Sequence, residues 1–159
     1  VPPSNPLTAI NVSLNGCDIT SGHHRGDLRV MNNVLVEVER YHVELQKVGK
    51  HFQGGNPAST EPADPRSSYI ASTVHWHSHP VMSMTYDPMS SPMDPMLYSG
   101  GEESVLVTWQ IGKGKSRPVD VLPRLALGGI VHITCSSPHD SSPANGVLVY
   151  CEDNSLQLL

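Results

Sequence analysis

Short apolar runs, each ended by turn-forming residues, constrain the fold of this chain more than any other feature. The clearest are Ile130–Cys135 and Val147–Cys151, which a serine-, proline- and glycine-rich segment separates. Runs of about four to eight apolar, β-branched residues between turn residues are typical of strands. Further runs cover Thr8–Leu14, Tyr69–His79, Ser104–Ile111 and Val119–Leu127. We therefore predict an all-β fold, an antiparallel β-sandwich or barrel of six or more short strands.

The length and composition favour one domain. The chain has 159 residues, and domains typically have about 100–150, so residues 1–159 are predicted to form a single β domain. One phenylalanine and two tryptophans leave most of the core to smaller apolar residues, which suits short strands. No internal repeat is detected.

The segment Val34–Val48 fits two structures. Its apolar residues Val34, Val38, Tyr41 and Leu45 recur at helical spacing. The alternation of valines at its start instead fits a strand, which a β-bulge would let continue into the second half. We favour the bulged strand, with a helix at 34–48 as the alternative.

Two segments are predicted to be loops. Residues 53–68 are rich in glycine, proline and serine. Residues 80–101 contain five of the six methionines and the prolines Pro80, Pro88, Pro92 and Pro95. Because proline removes a backbone donor, this Met/Pro-rich loop is not expected to form a helix or a central strand.

Charge and hydropathy limit the partners. The net charge is −5 without a lysine or arginine cluster, so no nucleic-acid interface is expected. No apolar run approaches the ~20 residues of a membrane span. Arg25-Gly26-Asp27 is similar to the integrin-recognition tripeptide, but three residues are too few to predict integrin binding. The Met/Pro-rich loop offers a surface for homo-oligomer formation.

The three cysteines leave the pairing open. One disulfide with a free thiol, or three free thiols, are both consistent with Cys17, Cys135 and Cys151. Cys135 and Cys151 end neighbouring apolar runs and are the candidate pair. The glycosylation pattern Asn11-Val12-Ser13 favours an extracellular or periplasmic location.

Histidines at alternate positions indicate a metal site. In a strand, His75, His77 and His79 would project from one face, about 7 Å apart. Imidazole binds copper and zinc alike, whereas nearby thioethers favour copper. Copper is therefore the predicted cofactor and zinc the alternative. The predicted ligands are His75, His77, His79, His132, Met82 and Met84.

The segment Ile70–His77 resembles the His-x-His strand of the copper type II, ascorbate-dependent monooxygenases. The resemblance implies that His75 and His77 bind copper, that a loop methionine completes the site, and that Cys135 and Cys151 correspond to paired cysteines. Tyr150 stands where that family has its methionine ligand.

A second resemblance uses a different histidine pair. His77-Ser78-His79-Pro80 and Ser91–Asp94 are similar to the zinc-binding pieces of JAMM metalloproteases. This implies zinc held by His77, His79 and Asp94, with an upstream glutamate as general base. The gap between the two pieces is longer here than in that family.

Three functions follow from these patterns. The favoured one is a copper-binding β-sandwich that handles copper or catalyses oxidation. The alternatives are a JAMM-like zinc hydrolase and a non-enzymatic structural, capsid or adhesion sandwich whose His/Met stretch is an assembly surface. The sequence does not decide whether the chain is an enzyme.

Overall fold

A computed structural model describes residues 4–13, 16–51, 72–112, 115–136 and 146–159, without the side chains of residues 37 and 47–51. The described residues form eleven antiparallel strands in three sheets, together with one helix. The predicted all-β class is confirmed. The predicted loop at 53–68 lies outside the described residues.

The first sheet has four strands and carries the helix as an insertion. Its strands occur in the order β1-β2-β3-β4, and helix α1 lies between β3 and β4 in the sequence. The elements are β1 (Leu7–Val12), β2 (Ile19–His23), β3 (Asp27–Met31), α1 (Val34–His51) and β4 (Ser72–His75).

The second and third sheets follow the same order, with each strand beside the next one along the chain. The second contains β5 (Val81–Tyr86), β6 (Met96–Gly101), β7 (Leu106–Gly112) and β8 (Lys115–Leu122). The third contains β9 (Ile130–Cys135), β10 (Val147–Cys151) and β11 (Leu156–Leu158).

The first strands of the three sheets lie next to one another. The Thr8 hydroxyl on β1 donates to the Val81 carbonyl on β5 at 2.6 Å, and the Asn11 amide donates to the Met84 carbonyl at 3.2 Å. From β9, the Ile133 amide donates to the hydroxyl of Ser83 on β5 at 2.9 Å. The strands β1, β5 and β9 therefore form a consecutive row, each at the edge of its own sheet.

Each pair of neighbouring sheets encloses its own apolar core. Between the first and second sheets, Leu28 and Val30 pack with Val81, Leu97 and Trp109. The core between the second and third sheets contains Leu106, Ile130, Ile133, Val147, Val149 and Cys151. The row of sheets is thus held by two successive cores.

A glycine occupies the same position at both of these interfaces. A Cβ added at Gly22 on β2 would lie 2.7 Å from Val81 Cγ1, the first residue of β5. One added at Gly100 on β6 would lie 2.7 Å from Ile130 Cδ1, the first residue of β9. Both glycines follow a serine, Ser21 or Ser99. The close approach repeats from one sheet to the next, although no repeat was detected in the sequence.

Two structural predictions were wrong. The segment at 34–48 is the helix, not the favoured bulged strand, in agreement with the apolar spacing of 3.6 residues and despite its β-branched valines. The segment 80–101 is not one loop, since β5 and β6 occupy both of its ends. Pro88, Pro92 and Pro95 all fall in the connection between these strands, where a missing amide donor breaks no ladder.

Among the described residues, no helix is both long enough and apolar enough to cross a membrane.

Candidate functional site

A buried histidine, His77, is the centre of a polar network between the connection from β4 to β5 and the second sheet. It follows β4, precedes β5, and has a fully buried side chain. Its ring is hydrogen-bonded to Ser99 on β6 and to Glu103 in the turn after β6, and Trp109 on β7 joins the network through Ser99. The network therefore attaches the connection between two sheets to the central strands of the second sheet.

The hydrogen bonds run in one direction. The Trp109 indole N–H, which can only donate, donates to Ser99 Oγ at 2.7 Å. The Ser99 hydroxyl then donates to His77 Nε2 at 2.7 Å, and His77 Nδ1–H donates to the Glu103 carboxylate. With the proton on Nε2 instead, Ser99 would lose its acceptor and Nδ1 would face the carboxylate with a lone pair. The network therefore selects the neutral tautomer with its proton on Nδ1.

Burial controls the charge state of this histidine. Removal from water lowers the pKa of His77 below its usual value of 6.5, and the hydrogen bond and negative charge of Glu103 oppose that shift only in part. The imidazole is therefore neutral at neutral pH. The ring is fully buried, and hydrogen bonds at both nitrogens hold it in one orientation.

The first sheet packs directly on this site. The turn between β2 and β3 contains Gly26, whose φ is 81°. A Cβ at that position would overlap the His77 carbonyl oxygen. Only glycine allows both the left-handed backbone and this close approach. Gly26 therefore lets the turn between β2 and β3 pack against the backbone of His77.

The other predicted ligands lie in separate places. The His75 side chain is 62% exposed, and its Nε2 lies 2.9 Å from the Arg25 carbonyl oxygen. His79 is also exposed and its Nδ1 lies 2.9 Å from Ser78 Oγ. His132 is an exposed residue of β9. On β5, Met82 is partly exposed and Met84 belongs to the core between the first two sheets.

The three clustered histidines do not share a strand face. The strand β4 ends at His75, two residues before His77, so the expected alternation stops before it reaches His77 and His79. Both metal resemblances require His77 as a ligand, yet both nitrogens of that ring are hydrogen-bonded. Within the described part of the chain, no group of three or more His, Cys, Asp or Glu residues is arranged to hold a metal ion.

Asp94, the third ligand implied by the JAMM resemblance, lies at the other end of the β5–β6 hairpin. In this hairpin, Val81 pairs with Gly101 and Tyr86 pairs with Leu97. His77 and Glu103 adjoin the first of these pairs, whereas Asp94 adjoins the second. The strand between them is roughly 17 Å long, from about 3.3 Å per residue. The zinc site implied for His77 and Asp94 is not formed.

The candidate disulfide is not formed either. Cys135 pairs with Val147, and Cys151 pairs with Ile130, at opposite ends of the β9–β10 ladder. Within the described residues, none of Cys17, Cys135 and Cys151 forms a disulfide. Burial, with a smaller effect of the Asp87 charge, raises the pKa of Cys135 to about 11, so this thiol is a poor nucleophile and a poor metal ligand at neutral pH.

Sequence reasoning missed Ser99, Glu103 and Trp109. The available signal was a tryptophan inside the predicted strand Ser104–Ile111, since a buried indole N–H needs an acceptor. Identifying Ser99 as that acceptor requires the pairing of β6 with β7, which the local pattern does not give.

In comparisons with known proteins, the chain is similar to WD repeat proteins and not to either metalloprotein family named above. The chain is 40% identical over 72 residues to WD repeat-containing protein 75 of Danio rerio, a match that covers 45% of this chain and 8% of that protein. It is 33% identical over 97 residues to the Xenopus laevis protein of the same name, covering 59% of this chain and 10% of that protein. The chain thus spans about a tenth of these relatives. No family model matches it.

These similarities overturn the predicted function. Copper handling, oxidation and zinc hydrolysis are wrong, because the matches are to WD repeat proteins and the central histidine is engaged within the protein. Neither relative is named as a capsid or adhesion protein, so that alternative is not carried further. Four expectations stay predictions from sequence. They are an extracellular or periplasmic location, homo-oligomer formation, the absence of a nucleic-acid interface, and copper or zinc as a bound cofactor.

Proposed function

We propose that this chain contributes three consecutive blades to a β-propeller of the WD-repeat type and acts as a non-catalytic scaffold for protein partners. The observation that carries this proposal is the row of first strands β1, β5 and β9, each starting a sheet that extends away from the row in chain order. A propeller repeats four-stranded sheets radially around a channel in this way.

The spacing of the sheets supports the same proposal. The strand β5 begins at Val81 and β9 begins at Ile130, a step of 130 − 81 = 49 residues. This is close to the repeat of about 40–45 residues in WD propellers. The step from Leu7 on β1 to Val81 is longer because α1 and residues 52–71 are inserted between the third and fourth strands of the first sheet.

The sequence around the network also supports it. WD repeats carry Gly-His and Trp-Asp signatures, and Trp76-His77 and Trp109-Gln110 stand in comparable places here. The histidine and the tryptophan of these signatures are kept as His77 and Trp109. Trp76 replaces the glycine, and Gln110 replaces the aspartate. In this proposal, His77 fixes the connection that enters the second blade.

A scaffold role suits the chemistry of the site. Within the His77 network, the imidazole, hydroxyl and indole donors each have an acceptor, whereas Glu103 Oε2 is buried without a hydrogen-bond partner. A catalytic histidine must instead reach a substrate proton. Because the ring is buried and neutral, the network stabilises the blade, and the exposed ends and edges of the sheets remain for recognition.

The direct test is an experimental structure of the complete polypeptide that carries this chain, by cryo-electron microscopy or crystallography. The proposal expects β1, β5 and β9 to line one channel, with further four-stranded sheets completing the ring. A closed two-layer sandwich, or three sheets that end without radial neighbours, would refute the propeller.

A further inference from the structure

The first and second strands pair in the same register in the first two sheets. In each sheet, a one-residue register shift on the first strand separates two pairs with the second strand. The pairs are Leu7–His23 and Ala9–Gly22 in the first sheet, and Val81–Gly101 and Ser83–Gly100 in the second. Ser21 therefore has the position of Ser99, and His23 has the position of Gly101.

Ser21 is hydrogen-bonded to an imidazole, as Ser99 is. Its Oγ lies 3.1 Å from His23 Nε2, and Ser99 Oγ lies 2.7 Å from His77 Nε2. Both serines and both histidines are buried. The rings come from different parts of the chain, since His77 precedes the second sheet whereas His23 lies on the second strand of the first sheet. Equivalent serines are thus bound by imidazoles from two places in the chain.

Gly101 shows why the two rings come from different places. A Cβ added there would overlap the Pro80 carbonyl oxygen, because the end of the connection from β4 to β5 lies against this position. The second strand of that sheet leaves room for the connection, which supplies His77. The first sheet has His23 at the same position, and this side chain reaches the serine directly.

The other nitrogen of His23 faces the segment that enters the first sheet. His23 Nδ1 lies 3.2 Å from the Asn5 carbonyl oxygen. A carbonyl can only accept, so the neutral ring has its proton on Nδ1, and its Nε2 accepts from the Ser21 hydroxyl. The ring of His77 has the same tautomer, with the Glu103 carboxylate as its acceptor.

Asn5 also holds the turn between the second and third strands of the first sheet. Its side-chain oxygen accepts from the Arg25 amide at 2.9 Å, and its side-chain nitrogen donates to the Asp27 carboxylate. Next to it, the Pro6 carbonyl accepts from the His24 amide at 3.0 Å. The carbonyl and both side-chain groups of Asn5 are therefore engaged, so this residue ties the entering segment to the second strand and its turn.

The third sheet has the same register shift without the polar site. Ile130 pairs with Cys151 and His132 pairs with Tyr150, which places Val149 where the other two sheets have serine. Val149 is fully buried in the apolar core between the second and third sheets. The polar arrangement is thus a specific feature of the first and second sheets and does not follow from the register alone.

We propose that Asn5 is a positioning residue: with His23 and Ser21 it forms the first sheet's counterpart of the His77 network, and it fixes the segment that enters that sheet. This inference deepens the proposed scaffold function. It rests on that function only in treating the first sheet as a blade, because the hydrogen bonds do not require the sheets to close into a ring.

The first test is nitrogen-15 NMR of histidine-labelled protein at about pH 8, where an ordinary histidine is neutral. The His23 ring, assigned through bonds from its backbone, should have its proton on Nδ1. Ser21→Ala should shift the Nε2 signal, because that nitrogen loses its donor, and should leave the proton on Nδ1. A proton on Nε2 in the natural chain, or an unchanged Nε2 signal in Ser21→Ala, would overturn the proposal.

The second test is amide hydrogen exchange at Arg25, measured residue by residue by mass spectrometry in the complete polypeptide. Asn5→Ala should raise the exchange rate about tenfold or more, because this amide loses its acceptor. The matched control is Asn11→Ala, which removes another side-chain amide of the same sheet, the donor to the Met84 carbonyl. It should leave the Arg25 rate unchanged.

A conservative substitution at Asp27 separates the hydrogen bond from general loosening. Asp27→Asn keeps an acceptor for the Asn5 amide and should retain the slow exchange at Arg25, whereas Asp27→Ala should lose it. Equal Arg25 rates in the natural chain and Asn5→Ala, or an equal rise in Asn11→Ala, would refute the role of Asn5. Neither result depends on whether the three sheets belong to a propeller, which the structure of the complete polypeptide decides.

Discussion

The indole N–H of Trp109 donates to the hydroxyl of Ser99, 2.7 Å away on the neighbouring strand. Through that hydroxyl, the tryptophan is connected to His77, which lies outside the sheet in the connection that enters it. A residue in the middle of the second sheet is thus linked through one hydroxyl to a ring at the boundary between the first and second sheets.

Trp109→Phe should destabilise the protein by about 1–3 kcal/mol, because the aromatic ring is kept while the buried Ser99 oxygen loses its donor. Urea unfolding followed by circular dichroism measures this change. The matched control is Tyr150→Phe, which also keeps the ring and removes a donor, here an exposed one to Asn154, and which should change stability by less than about 0.5 kcal/mol. Equal effects of the two substitutions would contradict the role given to the indole N–H.

Gly100→Ala should destabilise the protein by about 1–3 kcal/mol, because the new methyl group would lie 2.7 Å from atoms of the Ile130 side chain. Replacing Ile130 with valine removes one of these atoms and should recover part of the loss. The double-mutant cycle should therefore show a coupling of about 0.5 kcal/mol or more. If the effects of the two substitutions on stability simply add, the new methyl group at position 100 does not contact the side chain of Ile130.

The stability should depend on pH through His77. Burial lowers its pKa in the folded state, so above the unfolded value of about 6.5 both states are neutral and its contribution is complete. As pH falls below that value, the unfolded chain binds the proton first and the folded state loses stability. Between about pH 7.5 and about pH 5.5, the natural chain should lose more stability than His77→Gln, by up to about 1.4 kcal/mol. If denaturant titrations show that the natural chain and His77→Gln lose the same stability over this pH range, the pKa of His77 is not lowered by burial.

Cys135 should react slowly in the folded protein. With a pKa of about 11, its thiolate fraction at about pH 8 is roughly 100-fold below that of an ordinary cysteine. Iodoacetamide labelling followed by peptide mass spectrometry should show this protection, and its loss in denaturant serves as the control. A disulfide between Cys135 and Cys151 in the non-reduced peptide map would contradict the separation of these residues along the ladder.

Local patterns predicted the strands better than their arrangement. The strands β9 and β10 have the predicted bounds, because short β-branched runs between turn residues leave little choice. The prolines of 80–101 were given too much weight, since those at 88, 92 and 95 lie between β5 and β6 and leave the ladders intact. In α1, the structure agrees with the helical spacing despite the valines.

The site was harder to predict because it depends on long-range pairing. The alternation of histidines has meaning only inside a strand, and β4 ends at His75. The partners of His77, Ser99 and Glu103, are 22 and 26 residues away, and Trp109 is connected to the ring only through Ser99. The shared close approach at Gly22 and Gly100 could not be predicted, because the first and second sheets have little sequence in common beyond Ser21-Gly22 and Ser99-Gly100.

The most direct measurement of the central claim is the protonation of the His77 ring, observed by nitrogen-15 NMR on histidine-labelled protein and assigned by comparison with His77→Gln. The account predicts a neutral ring with its proton on Nδ1 at about pH 7, and no change in its signals when one equivalent of zinc or copper(I) is added. A proton on Nε2, or signals that shift on metal addition, would contradict it.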